Sequence, residues 1–108
     1  VVPPDQAQAL EVLSEDTNFS VVRMPGRRFP ASVVQGDALH SVYTDLRSLE
    51  QHLRATLGEP HPLVDEVAAI ADGLHERLWW YEQDLMRAGF SQLPYLASVG
   101  RPGDGSKG

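Results

Sequence analysis

An α+β fold is predicted by a change of apolar period near residue 36, a Pro25-Gly26 turn between two β-rich runs, and two long apolar repeats at helical spacing. The order is αββαα: a short N-terminal helix, a β-hairpin, then a long antiparallel helical hairpin. At 108 residues the chain has the length of one domain with one core. The reading assigns residues 1–98 to a single α+β domain and 99–108 to a disordered Gly-rich tail.

Pro3-Pro4-Asp5 reads as a helix start, proline being tolerated in the first turn and Asp5 able to accept backbone N–H groups. Ala7, Leu10, Val12 and Leu13 follow at roughly helical spacing, which predicts a helix over 4–15. The period then changes. Phe19, Val21, Val22 and Met24 precede Pro25-Gly26, and Phe29, Ala31, Val33 and Val34 follow Arg27-Arg28, which predicts a hairpin. Pro30 cannot donate to a ladder and marks a strand start or an edge. An isolated hairpin is barely stable, so its apolar face is expected to pack on the helices.

Asp37 is the expected N-cap of the next helix, in which Leu39, Val42, Tyr43, Leu46, Leu49, Leu53 and Leu57 recur at steps of three and four until Gly58. Pro60-His61-Pro62 is a stiff connector. A last helix starts near Leu63 and runs to about Ala88. Its seam is Leu63, Val67, Ile70, Leu74, Leu78, Tyr81 and Leu85, over a length of about 39 Å at 1.5 Å per residue. So short a connector makes the two helices antiparallel neighbours.

Composition narrows the function. The formal charge of −6 opposes nucleic-acid binding, which needs a basic face. No apolar run reaches the roughly 20 residues that span a bilayer, so no membrane association is expected. The start lacks the features of a signal peptide, and a cytoplasmic setting is the expectation. With no cysteine, disulfides, thiol nucleophiles and iron–sulfur clusters are excluded. No G-x-S-x-G elbow and no phosphate loop is present, so no residue is assigned a catalytic role and no cofactor is implied.

Four groups of residues stand out. Arg27 and Arg28 sit at a turn and could grip an anion, against the plainer reading of solvated turn arginines. Gln35, Asp37 and His40 lie at the start of the first long helix, where free N–H groups could face a ligand. The turn and the helix start lie about 20 Å apart along a strand, so one small ligand cannot reach both. In an antiparallel pair His40 falls level with His75, near Asp72 and Glu76, a set that could hold a metal or work as an acid–base pair. The sequence offers no compact metal motif, and solvated histidines are the plainer reading. Helical geometry turns Trp80 outward with Trp79 flanking the seam, which makes Trp79, Trp80, Glu76 and Gln83 candidates for a partner interface. Asp65, Glu66, Glu82 and Asp84 read as a solvated face.

The stretch PGRRFPASVVQGDALHSVY, residues 25–43, resembles a motif from a family of short uncharacterised bacterial proteins, the likeness covering about residues 19–46. The resemblance implies the αββαα order and no activity. The functional expectation is therefore a non-enzymatic protein-interaction module (accessory, adaptor or immunity-type) using the helical hairpin surface, with a protein partner or a second copy as its target. The alternative is a small-molecule or anion binder, or a minor enzyme, centred on the β-hairpin and the following helix start.

Overall fold

The computed structural model describes residues 11–14 and 19–103. They form a three-stranded antiparallel sheet followed by two helices. The strands are β1 (Glu11–Ser14), β2 (Phe19–Arg23) and β3 (Ala31–Val34), in the order β1-β2-β3. The helices are α1 (Gly36–Leu57) and α2 (Pro62–Arg87). The chain divides into two compact units, Val1–Gln35 and Gly36–Gly108.

In the first unit β2 is central. It pairs with β3 from Phe19↔Val34 to Val22↔Ala31, and Pro30 stands just before this edge strand, where its missing N–H costs no ladder bond. The Pro25-Gly26 turn closes with Arg27 N–H donating to Met24 O, 3.1 Å, and Gly26 has φ +75°, the value a type II turn demands of its third residue.

The sequence places a helix over 4–15. Residues 4–10 and 15 lie outside the described residues, and residues 11–14 correct the expectation, because they form β1. Val12 pairs with Val22 and Ser14 with Val21, leaving Leu13 as the extra residue of a bulge. The bulge breaks the period of two. Glu11 pairs with Arg23, whose Nε lies 3.1 Å from Glu11 Oε1.

In the second unit both helices end as the glycines dictate. Gly58 has φ +79° and donates to Arg54 O. Gly89 has φ +94°, with Gly89 N–H to Met86 O and Phe90 N–H to Leu85 O, the paired bonds of a Schellman motif. His61 caps α2, its ring accepting from Leu63 N–H at 3.1 Å, with Pro62 as the first helical residue. Asp37 departs from expectation: it lies inside the first turn of α1, and its Oδ1 accepts from the adjacent Ala38 N–H. There it favours the helix dipole rather than capping the helix.

The helices pack antiparallel. Tyr43 meets His75 and, one turn on, Arg47 meets Asp72, so positions advance on α1 as they recede on α2. The buried line of α2 is Val64, Ala71 and Leu78, continued one turn later by Glu82. This line is turned from the seam read in the sequence, and Leu63 and Ile70 are exposed. The reason is that α2 has two neighbours: α1, and the chain from Tyr95 to Gly100, which bonds to His75 and Glu82. Among the described residues no helix is long and apolar enough to cross a membrane.

Candidate functional site

Glu82 organises the second unit. Only 3% of it is exposed, although a carboxylate in the run Trp79-Trp80-Tyr81-Glu82 reads as solvated. Burial without partners would cost several kcal/mol. The chain beyond α2 supplies three: Tyr95 Oη donates to Oε2 at 2.7 Å, Ser98 Oγ to Oε1 at 2.6 Å, and Val99 N–H to Oε2 at 3.0 Å. Gly100 N–H donates in turn to Ser98 Oγ. These bonds hold the first part of the Gly-rich segment against α2. The solvated reading holds for Asp65, Glu66 and Asp84, which are exposed.

The same segment reaches α1. The Tyr95 ring stacks on His40 with centroids 3.9 Å apart and planes at 6°. Tyr43 lies between the two histidines, 6.2 Å from the His40 ring and 5.5 Å from that of His75. His75 Nε2 is 2.9 Å from Gly100 O. Burial, then the hydrogen bond to Glu82 and that carboxylate's charge, push the Tyr95 phenol well above its ordinary value. Tyr81 also shifts upward, through burial and the charge of Asp37.

Along α1 the cluster continues as a chain of charge. Arg47 bonds Glu50 at 2.8 Å, Asp72 at 2.7 Å and Tyr43 Oη at 3.2 Å, while Arg54 bonds Glu50 at 2.8 Å and Glu59 at 2.8 Å. Glu50, 8% exposed, is held between two guanidinium groups. Burial acts to lower the pKa of Arg47, and its bonds to Tyr43, Asp72 and Glu50 outweigh that and raise it.

A groove of about 290 Å³ opens between the C-terminal half of α2 and the chain after Gly89. Trp79, Met86, Phe90 and Leu93 form its apolar wall, with Glu82 and Gln83 among its polar groups.

The residues singled out in the sequence are dispersed. Arg27 and Arg28 are exposed at the hairpin tip, where the Arg28 guanidinium lies 5.3 Å from the Phe29 ring centre and Arg28 O accepts from Arg23. Gln35 is exposed at the end of the first unit. Asp37 is engaged by its own helix start and His40 by Tyr95. Trp79 and Gln83 line the groove, Trp80 is 53% exposed, and Glu76 is exposed. His40 and His75 do come together around Tyr43, but among the described residues no set of three or more His, Asp or Glu side chains could hold a metal ion. Sequence reasoning passed over Glu82, Tyr95 and Ser98. The available signal was the position of Glu82 one turn after Leu78, on the buried side of α2.

No curated protein and no solved structure matches this chain. A family model does match, over residues 5–95, and so takes in the sheet, both helices and the Glu82–Tyr95 pair; the chain belongs to the family of unknown function DUF6959.

Proposed function

We propose that this protein is a protein-interaction module that works through one side of its helical hairpin. A single observation carries the reading. Val42 and Leu49 of α1, and Leu63 and Ile70 of α2, are large apolar side chains left exposed. On α1 the exposed pair lies on the other side of buried Glu50 from His40 and Arg47; on α2 it lies across the line Val64-Ala71-Leu78 from His75. In an antiparallel pair both rows fall on the same side of the hairpin, opposite the side held by residues 95–100. Trp80 of α2 is also exposed and offers an anchor.

The simplest partner is a second copy. Two helical hairpins meeting by their apolar sides form a four-helix arrangement with twofold symmetry, the commonest closed assembly. The engagement of His40 by Tyr95 and of His75 by Gly100 favours interaction over acid–base chemistry at those rings.

Light scattering over a wide concentration range tests the reading. The wild type should dimerise, and Leu49→Asp with Ile70→Asp should give a folded monomer. A wild type that stays monomeric at all concentrations, with the same solution behaviour as the double variant, would overturn it.

A second reading keeps an anion site at the hairpin tip, favoured by the exposure of both Arg27 and Arg28. Arg27→Ala with Arg28→Ala should then abolish an anion-induced rise in melting temperature without changing the fold.

A further inference from the structure

Glu82 has hydrogen-bond donors but no counter-ion. All three of its donors are neutral, and among the described residues no cationic side chain pairs with it. A buried carboxylate is stable when its lone pairs are met, yet its charge still favours a cation in the low-dielectric surroundings. The acceptor capacity is not exhausted either. Oε2 takes two donors, Tyr95 and Val99, whereas Oε1 takes only Ser98, which leaves a lone-pair position on Oε1.

This carboxylate borders the groove, and among the described residues it is the only ionisable one in the groove's lining. Trp79 and Phe90 supply aromatic faces that attract cations, and Met86 and Leu93 supply apolar surface for a hydrocarbon stem. Gln83 and Ser98 add polar atoms. The volume, about 290 Å³, sits at the low end of ligand pockets, which run from roughly 300 to 1,000 Å³. That suits a molecule of side-chain size. An anion would meet Glu82 with no cation to offset it, and a neutral apolar molecule would leave the free lone pair unused.

We propose that the groove between α2 and residues 90–98 binds a small primary ammonium ion with an apolar stem, its nitrogen donating to Glu82 Oε1 and its stem lying between Trp79, Met86 and Phe90. The site is separate from the apolar side of the helical hairpin and does not rest on the dimer reading.

Isothermal calorimetry on the full chain at neutral pH tests it, with phenethylammonium as the probe and 2-phenylethanol as its uncharged counterpart. The ammonium should bind saturably, and the alcohol at least about ten-fold more weakly, as expected for losing a charge-assisted hydrogen bond. Glu82→Gln should weaken the ammonium by a similar factor. Because that substitution also touches the Tyr95 and Ser98 bonds, Ser91→Phe provides a second arm: it fills the groove, leaves the Glu82 donors in place, and should abolish binding in a folded protein. Leu49→Asp with Ile70→Asp should leave ammonium binding unchanged, which separates this site from the dimer face. Absence of saturable phenethylammonium binding, equal affinity for the alcohol, or unchanged affinity in folded Ser91→Phe would each overturn the proposal.

Discussion

Tyr95 donates its phenolic hydrogen to Glu82 across 2.7 Å while its ring lies flat on His40. One side chain therefore ties the chain after α2 to both helices, by a hydrogen bond to one and a stack on the other.

Tyr95→Phe isolates the hydrogen bond, because the ring and its stack remain. Removing a donor from a buried carboxylate costs roughly 1–3 kcal/mol. Urea denaturation should show a loss in that range. Tyr95→Leu, which also removes the stack, should lose more.

The raised pKa of Tyr95 gives stability a pH dependence with a definite sign. The unfolded phenol titrates near 10.0, and the folded one higher. Above pH 10 the unfolded chain therefore releases a proton that the folded chain keeps, and stability falls as pH rises. Below that pH the contribution is fully present. Tyr81 shifts in the same direction and adds to the effect. Thermal melts from pH 8 to pH 11 should show stability lost only in the upper part of the range, with a shallower loss in Tyr95→Phe.

The charge chain on α1 separates buried from exposed ion pairs. Glu50 lies between Arg47 and Arg54, so Glu50→Ala leaves two guanidinium groups without their shared anion and should cost about 3 kcal/mol. The Asp72 side chain is 69% exposed, and Asp72→Ala should cost under about 1 kcal/mol. Chemical denaturation of the two variants side by side checks the contrast.

Gly36 meets Tyr81 so closely that a Cβ there would clash with the hydroxyl end of the phenol ring. Gly36→Ala should destabilise by roughly 1–3 kcal/mol, the usual cost of overpacking. Tyr81→Ala makes room, so the double variant should be less destabilised than the two single effects combined. A double-mutant cycle measured by denaturation decides it.

The helices were legible because their signals are local. Gly58 and Gly89 end them, and apolar steps of three and four mark their faces, although Pro62, read as part of the connector, is the first residue of α2. The Pro25-Gly26 turn and the edge role of Pro30 were legible for the same reason. β1 was not, because its bulge at Leu13 places Val12 and Leu13 side by side, a pattern that reads as one face of a helix. Its real signal is non-local: Glu11 opposite Arg23 and Val12 opposite Val22. The buried line of α2 was misjudged by a fraction of a turn because the periodicity was read for one neighbour, and α2 has two. Glu82 was hidden by its own chemistry. A carboxylate signals water unless the hydroxyl groups that receive it are known, and these lie 13 and 16 positions further along.

That separation has a consequence for biosynthesis. A ribosome makes α2 before Tyr95, Ser98 and Val99 exist, so the nascent helix carries an anion on its inner flank with nothing but water to solvate it. Closure of the helical pair around Glu82 has to wait until residues 95–99 have emerged, which makes that stretch a latch on α2.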